Sequence, residues 1–380
     1  MPLRSEAQVG PAEDVTPYEQ AAMRRALELA AERVGSTGVN PAVGCVLLDA
    51  DGTTLATGVH RGPGTPHAEA DALRQARGRS RGATAVVTLE PCDHQGRTGP
   101  CSRALIEAGV RRVLYAVPDP NRVAAGGARR LAEAGIDVVG GVLREEAEAV
   151  LEMWLTAVRT GRPFVTWKFA TTLDGRSAAA DGSSRWISSA ESRADAHALR
   201  ARHDAILVGS GTWRADNPRL DLRHGVVGQP PLRVALDARG ELPPDSRLLD
   251  GDIPTLVVTE PGTGLTGVDE ENVLRLKTDA RGRFPPLGLL EALGTRGVRS
   301  VLVEGGPALA SAFVTAGLTD RVVAYVAPLL LGSEGVSAVG ELGVGSIGEA
   351  HRLRITAVDR IGSDLRVELR PAAWTTRGTQ

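Results

Sequence analysis

The sequence predicts two α/β domains in succession, and three observations support this fold class. The chain has 380 residues, which is more than one hydrophobic core usually supports. Helical and extended patterns alternate along most of its length. A turn-like stretch, "TGRP" at 160–163, interrupts the alternation. We therefore expect a disordered extension over 1–15, a first domain over 16–160 and a second domain over 161–380.

The elements of the first domain follow from its patterns in order. A helix is predicted from Thr16 onward, where a capping residue precedes a proline and apolar residues at helical spacing. The stretches "AVGCVLLD" and "TTLATGVH", separated by "ADG", predict a β-hairpin. The remaining patterns predict a helix over 67–77, the strand "ATAVVTLE", a helix over 101–108, the strand "RRVLYAV", a helix over 128–134, a strand over 136–139 and a helix over 143–159.

The second domain starts with the predicted strand "PFVTWKFATT". Apolar runs recur at "DAILVGS", "LRVALD", "TLVVTE", "SVLVEGG" and "DRVVAYVAP", and the loop-like stretches "GQPP", "ELPPD" and "EPGTGLTG" lie between them. No internal repeat relates this half to the first. We expect a second helix-flanked sheet.

Composition excludes several classes of function. The formal net charge is only -2, from 44 basic and 46 acidic residues, so we do not expect nucleic acid as a partner. No apolar run is long enough to span a bilayer, and the N-terminus lacks the apolar core of a secretory signal. Three cysteines are few for a secreted chain of this length, which favours a reducing, cytoplasmic location.

Three residues of the first domain have the chemistry of zinc ligands. His67 opens a predicted helix, Cys92 follows a predicted strand in "LEPC", and Cys101 opens the next helix. One imidazole and two thiolates leave a fourth position for water, as catalytic zinc sites require. Glu69 lies two residues after the histidine, where it can carry protons without binding the metal. A histidine-x-glutamate followed by proline-cysteine and a further cysteine is the signature of nucleobase deaminases.

Two alternatives remain open from the residues alone. The three residues could be unrelated, with a structural cysteine pair and a surface histidine. A structural zinc site would need a fourth protein ligand, for which Cys45 and His94 are the nearby candidates. Cys45 lies inside an apolar run, so we expect it in the core.

The stretches "NPAVGCVLLD", "GVHRGPGTPHAEADALRQA", "ATAVVTLEPCDHQGRTGPC" and "DPN" closely resemble the deaminase half of the bifunctional riboflavin-biosynthesis deaminase/reductases, over about residues 18–150. This resemblance implies a cytidine-deaminase-like αβα fold, a zinc site of His67, Cys92 and Cys101, and Glu69 as the proton shuttle. It implies a phosphoribosylated diamino-pyrimidinone as substrate. The implied substrate-facing residues are Asn40, His60, His94 and Arg97.

Two residues depart from the family pattern. Arg122 stands where a proline often follows "DPN", and Gly99 stands where proline is common before the second zinc cysteine. Both changes fall in loops, so they bear on loop shape more than on chemistry. The eight residues between the two cysteines are specific to this branch of the deaminases.

A glycine pair in the second domain suggests a phosphate site. In "VLVEGGPALASAF" a buried strand leads through two glycines into a helix with Pro307 near its start, which presents free backbone amides to a phosphate. The three-glycine dinucleotide fingerprint is absent from this stretch, so a doubly wound nucleotide fold is not implied. By itself such a pair is more often only a tight turn.

Three stretches resemble the reductase half of the same family, over about residues 163–345: "TWKFATTLDGRSAAADGSSRWISS", "AILVGSGTWRADNPRLDLR" and "SVLVEGGPALASAFVTAGLTDRVVAYVAPLLLG". That implies the fold of dihydrofolate reductase and NADPH as cofactor. The implied NADP contacts are Ala170, Trp186, Thr212, Asp216, Gly306, Pro307, Ala308, Leu309, Ala310, Ser311 and Ala312. The implied substrate contacts are Ser184, Arg200, Leu220, Arg223 and Glu304.

Lys168 is one of only two lysines and lies in a strand that we predict to be apolar. A buried ammonium is costly without a partner. It could therefore bind the sugar or supply a proton during reduction, or it could form a structural ion pair with Asp174.

The resemblance in both halves implies a bifunctional enzyme of riboflavin synthesis. It should deaminate a small phosphorylated pyrimidine with Zn²⁺ and then reduce the ribosyl group to ribityl with NADPH. Two rivals remain: a deaminase of another base, and a structural zinc module joined to a degenerate nucleotide binder. The family often forms dimers or tetramers, so we expect a homo-oligomer.

Overall fold

A computed structural model describes residues 14–95 and 99–372. The chain divides into two compact units, Met1–Thr160 and Gly161–Gln380, and each unit has its own hydrophobic core. Most of the expected N-terminal extension lies outside the described residues. None of the helices in the described part combines the length and apolarity needed to cross a bilayer.

The first unit is a five-stranded sheet with helices packed against it. Its strand order is β2-β1-β3-β4-β5; β1 is antiparallel to both neighbours, and β3, β4 and β5 are parallel. The strands are β1 Gly44–Leu48, β2 Thr54–Val59, β3 Thr84–Leu89, β4 Arg112–Val117 and β5 Asp137–Gly140. The helices are α1 Pro17–Ala31, α2 Ala68–Ala76, α3 Cys101–Glu107, α4 Gly127–Glu133 and α5 Arg144–Thr160.

Local chemistry explains where α1 begins. Thr16 and Glu19 form a reciprocal capping box, and Pro17 occupies the first turn, where its missing N–H costs nothing. The helix buries Met23 and Ala26 against the sheet. All residues of β1 and β3 are buried, as expected for central strands covered on both faces.

Strand direction determines where side chains for chemistry can meet. Because β3 and β4 are parallel, their carboxyl ends lie at one edge of the sheet. Glu90 and Cys92 follow β3, and Asp119 follows β4. The first residues of α2 and α3 reach the same edge, as the distances described below show.

The second unit contains a nine-stranded sheet in the order β11-β10-β9-β8-β12-β6-β13-β16-β15. It is parallel except where β16 pairs with β13 and β15, and a small β14–β7 pair is separate. The strands are β6 Phe164–Thr172, β7 Arg176–Ala178, β8 Ala205–Val208, β9 Leu232–Leu236, β10 Thr255–Thr259, β11 Val273–Arg275, β12 Ser300–Val303, β13 Arg321–Ala327, β14 Val336–Ser337, β15 Leu353–Ile361 and β16 Asp364–Pro371. The helices are α6 Ala190–Ala201, α7 Ser210–Asp216, α8 Pro286–Thr295 and α9 Pro307–Thr315.

The segment after Gly345, for which the sequence pattern gave no expectation, forms the hairpin β15–β16. It extends the sheet beyond β13 through antiparallel pairing. Most residues of β15 are exposed, including the apolar Leu353, Ile355 and Val358.

Candidate active sites

The three predicted metal ligands lie together in the first unit. The Nδ1 atom of His67 is 3.5 Å from Sγ of Cys92 and 3.3 Å from Sγ of Cys101. The three ligand atoms lie within 4.8 Å of one another, and both cysteines are free thiols. The structure therefore brings together the imidazole and the two sulfurs that the sequence pattern predicts as zinc ligands.

A zinc ion fits this group. Zinc–nitrogen and zinc–sulfur bonds of about 2.0 and about 2.3 Å place the two ligand atoms about 3.5 Å apart at a tetrahedral angle, which agrees with the two N···S separations. Within the described residues no fourth histidine, cysteine or carboxylate completes the group. Cys45 is buried in β1, as expected. Three protein ligands with an open position are typical of a catalytic zinc site.

Backbone geometry positions the ligands. His67 is the residue before α2, and Cys101 is the first residue of α3. The backbone N–H of Cys101 donates to Sγ of Cys92 over 3.5 Å. Gly127, at the start of α4, lies so close to Pro91 that a Cβ at this position would be 1.7 Å from the Pro91 carbonyl oxygen. The segment that carries Cys92 is therefore held from both sides.

The two thiols differ in acidity. Hydrogen bonds from Cys101 and from the His67 ring lower the pKa of Cys92 to about 4, against the opposing effect of burial. The neighbouring Cys92 sulfur and burial raise the pKa of Cys101 well above its usual value. Cys92 is thus the more acidic of the two thiols, and a thiol that loses its proton readily suits a site for a divalent cation.

Glu69 lies beside this cluster, in the first turn of α2. The residue is only 4% exposed, and burial raises the pKa of its carboxyl to about 7, with a further contribution from Cys92. A carboxyl group of this pKa can both accept and donate a proton near neutral pH.

Two of the predicted substrate residues form a hydrogen-bonded pair. Asn40 Nδ2 donates to Nε2 of His60 over 2.9 Å, so Nδ1 of His60 donates to the Pro66 carbonyl over 3.0 Å. Burial lowers the pKa of His60, which keeps the ring neutral. His94 is partly buried, and its Nδ1 atom has no partner among the described residues. Arg97 lies outside the described residues.

A buried carboxylate that no sequence motif singled out organises the loop after β4. Glu90 accepts hydrogen bonds of 3.1 Å each from the backbone amides of Asp119, Gly126 and Ala128. Burial raises the pKa of the Asp119 carboxyl to about 6. Glu90 thus holds both Asp119 and the start of α4 near the metal ligands. The glutamate of "LEPC" is the only sequence signal that pointed to this position.

In the second unit Glu304 joins two cations. Its carboxylate accepts from Arg200 over 2.6 and 3.0 Å and lies 3.7 Å from Nζ of Lys168. The side chains of Arg200, Lys168 and Glu304 are 12%, 18% and 8% exposed. The alternative ion pair of Lys168 with Asp174 is not formed. The lysine lies beside Glu304, and Asp174 accepts instead from the backbone amides of residues 331 and 332.

A histidine that was not singled out from the sequence adjoins this group. Nδ1 of His197 accepts from the backbone N–H of Arg223 over 3.0 Å, and its ring contacts that of His224. Burial and the charges of Arg200 and Arg223 lower the pKa of His197 to about 4. The side chain of Arg223 pairs with Asp221. Arg200 and Arg223, which are both predicted to contact substrate, therefore lie close to the same histidine.

A cavity of about 330 Å³ opens at the glycine turn before α9. Among the predicted NADP contacts, Thr212, Gly306, Pro307, Ala308, Leu309 and Ala312 line it. The backbone N–H of Gly306 donates to Oγ1 of Thr212 over 3.1 Å, which joins the starts of α7 and α9.

Other residues predicted for the reductase site lie elsewhere. Ala310 and Ser311 are buried in the body of α9, and Ala170, Trp186 and Asp216 are not among the residues that line the cavity. Trp186 is 67% exposed, with the Arg193 guanidinium 4.3 Å from its ring centre. Ser184 is partly buried. Leu220 is buried with a positive φ of 51°.

Two protein families match the chain. The family described as "RibD C-terminal domain" matches residues 163–367, and the "Cytidine and deoxycytidylate deaminase zinc-binding region" matches residues 17–117. The first match extends beyond residue 345, where the resemblance in the sequence became weak, and includes all of β15 and the first half of β16.

Curated proteins and solved structures resemble the chain over most of its length. The riboflavin biosynthesis protein RibD of Mycobacterium tuberculosis H37Rv is 46% identical over 92% of this chain and 96% of that protein. That of Escherichia coli K12 is 38% identical over 91% and 98%. The crystal structure of a diaminohydroxyphosphoribosylaminopyrimidine deaminase/5-amino-6-(5-phosphoribosylamino)uracil reductase from Thermotoga maritima is 35% identical, with a TM-score of 0.85 over 93% of this chain and 99% of that one.

Proposed function

The chain belongs to the RibD family of riboflavin-biosynthesis proteins, and we propose that residues 16–160 carry its deaminase activity and residues 161–380 its reductase activity. The protein is a bifunctional enzyme with a zinc-binding deaminase domain and an NADPH-using reductase domain. It removes an amino group from 2,5-diamino-6-(5-phosphoribosylamino)pyrimidin-4-one and then reduces the ribosyl side chain to ribityl. The observation that carries the deaminase assignment is the cluster of His67, Cys92 and Cys101 beside buried Glu69.

In the deaminase domain we assign the metal to those three ligands and proton transfer to Glu69. Zinc bound there supplies a Lewis acid that makes a water molecule nucleophilic near neutral pH. The Glu69 carboxylate accepts a proton as the water oxygen adds to the ring carbon that bears the amine. It then donates that proton to the departing nitrogen, and the remaining hydroxyl proton moves to the adjacent ring nitrogen, so that water and the amine become a carbonyl and ammonia. The pKa of about 7 supports both directions of transfer.

Binding of the pyrimidine is proposed for Asn40, His60, His94 and Arg97. Support comes from the neutral His60 ring, fixed by Asn40 and the Pro66 carbonyl, because a fixed tautomer presents constant hydrogen-bonding character to a ligand. The unpartnered Nδ1 atom of His94 within the described residues is a further group available to bind substrate.

In the reductase domain we assign the sugar site to Lys168, Arg200, Arg223 and Glu304. NADPH supplies a hydride to the anomeric carbon. The Lys168 ammonium, held by Glu304, is placed to donate a proton to the sugar oxygen as the ring opens. Arg200 and Arg223 provide the positive charge that a phosphorylated substrate requires. Ser184 and Leu220 complete the proposed substrate contacts.

We place the cofactor along the cavity before α9. The proposed NADP contacts are Ala170, Trp186, Thr212, Asp216, Gly306, Pro307, Ala308, Leu309, Ala310, Ser311 and Ala312. The glycine turn and the start of the nine-residue helix α9 support a diphosphate position through the Ala308 N–H, which has no acceptor within the described part of the chain and is free to bind an anion. The Gly306 and Leu309 N–H groups already donate to Thr212 and to the Gly306 carbonyl. Buried Ala310 and Ser311 would act through helix packing and not through direct contact.

We also propose a homo-oligomer in the cytoplasm, built through the C-terminal hairpin. Strand β15 is the last strand of its sheet, and Ile355 and Val358 on it are 58% and 55% exposed. A long edge strand that exposes apolar side chains among its charged ones offers a surface for pairing with a second copy. Light scattering after chromatography should show an oligomer in the native chain and a smaller species for Ile355→Asp with Val358→Asp. Fractionation of cells should recover the protein with cytoplasmic markers.

The decisive experiment separates the two steps. The phosphoribosylated diamino-pyrimidinone is supplied with and without NADPH, and ammonia and nicotinamide absorbance are followed independently. We expect ammonia in both reactions and NADPH oxidation only after deamination. Ammonia release from cytosine or guanine, with no NADPH oxidation, would instead establish the rival deaminase.

A further inference from the structure

The cavity before α9 contains a single charged side chain among its fourteen lining residues, and that side chain is Arg283. The other lining residues are glycine, alanine, proline, leucine, phenylalanine, serine or threonine. Hydroxyls of Ser210 and Thr212 and backbone amides can also donate to a ligand here, but Arg283 is the only lining side chain that offers a positive charge to a more highly charged ligand.

A tight turn fixes the backbone of Arg283. The Asp279 carboxylate accepts from the backbone N–H groups of Arg281 and Arg283 over 2.8 and 3.0 Å. The Asp279 N–H donates to the Arg283 carbonyl over 2.8 Å, and Gly282 has the positive φ of 70° that such a turn favours. The next residue, Phe284, is buried in the core. The turn therefore holds Arg283 at the cavity on an ordered support.

The guanidinium of Arg283 is available for a ligand. Within the described residues this guanidinium makes no hydrogen bond or ion pair. It is attracted electrostatically to the Asp279 carboxylate. Nearby arginines are engaged: Arg239 and Arg214 pair with Glu241. Arg283 also borders a second cavity, of about 440 Å³, together with Arg281.

The structure assigns Arg283 as the residue that selects NADPH over NADH, by binding the 2′-phosphate of the adenosine half. This inference rests on the proposed cofactor position. The two cofactors differ only in that phosphate, whereas the glycine turn and α9 can serve the diphosphate that both contain. A planar guanidinium with free donors can bind a phosphate through two parallel hydrogen bonds, and no other lining side chain offers a positive charge.

The test uses the full-length protein and the variants Arg283→Ala and Arg283→Lys. We expect Arg283→Ala to raise KM for NADPH by at least about tenfold, the loss typical of one charge-assisted contact. The kcat with NADPH and both constants for NADH should stay unchanged. Arg283→Lys should restore part of the preference, because it keeps the charge but not the paired donors. Isothermal titration with 2′,5′-ADP and 5′-AMP gives a readout without turnover: the native chain should bind 2′,5′-ADP more tightly, and Arg283→Ala should bind both equally.

Arg281→Ala is the matched control, since Arg281 lies on the same turn but does not line the cofactor cavity. It should leave both KM values unchanged. Equal losses for NADPH and NADH in Arg283→Ala, or an unchanged preference, would overturn the assignment. Failure of the proposed function looks different: the native enzyme itself would not oxidise NADPH with the deaminated substrate.

Discussion

Replacing Glu304 by glutamine should destabilise the second unit, because it removes the counter-charge of two nearly buried cations. Glu304 pairs with Arg200 over 2.6 Å and lies 3.7 Å from Lys168. Burial by itself would raise the pKa of this carboxyl, but the attraction of Arg200 and Lys168 exceeds that effect and lowers the pKa from 4.5 to about 2.

The pKa shift sets the expected size of the effect. At about 1.36 kcal/mol per pKa unit, a shift of this size corresponds to about 3 kcal/mol of stability at pH 7. Since the pKa is depressed in the folded state, this stability is fully present above the unfolded value near 4.5 and is lost as the pH falls toward 2. At pH 3 less than half of it, about 1.4 kcal/mol, should remain.

The assay is urea unfolding of the full-length chain at pH 7 and at pH 3, followed by tryptophan fluorescence. Trp167, Trp186 and Trp213 report on the second unit. The difference between the native chain and Glu304→Gln should shrink at the lower pH. Glu271→Gln, which changes an exposed glutamate, is the control and should show no loss. An equal loss at both pH values would refute the electrostatic reasoning and point to altered packing.

Three further outcomes are expected. Glu69→Gln should lower ammonia release by at least about a hundredfold while zinc content and reduction of the deaminated substrate stay normal; loss of zinc would contradict the assigned role. Gly127→Ala should weaken zinc retention against a chelator, because its Cβ would lie 1.7 Å from the Pro91 oxygen, whereas Gly99→Ala, with open space around it, should not. Burial lowers the pKa of His203 to about 3. Below pH 6.5 the imidazole therefore binds a proton in the unfolded chain but not in the folded one, and the free energy of unfolding decreases as the pH is lowered. His203→Gln should remove up to about 1.4 kcal/mol per pH unit of that slope, and an unchanged slope in unfolding titrations would contradict this.

The zinc site could be predicted from the sequence because its ligands mark the boundaries of predicted elements. His67 and Cys101 open helices, and Cys92 follows a strand, so the order of elements already brings them to one edge. The comparisons with known proteins confirm the predicted fold class, family and both cofactors. The remaining contacts in the sites stay predictions.

Other features depend on contacts between distant segments, which a local pattern does not contain. In the sequence Glu90 is only a polar residue at the end of a predicted strand. Its role depends on hydrogen bonds from backbone amides of a loop that follows another strand. Lys168 lies beside Glu304 and not beside Asp174, which is closer in the sequence. The reason is that β6 pairs directly with β12, the strand that ends just before Glu304. Hydrophobic patterning predicts both strands but not their neighbours in the sheet.

Each unit has a separate apolar interior, and this has a genetic consequence. A substitution that inactivates one of the two proposed catalytic centres without unfolding its own unit should leave the other centre active, so two alleles with different defects should complement each other in one cell. The aminouracil released by one defective polypeptide would then be reduced by the other, and growth without added vitamin would be restored.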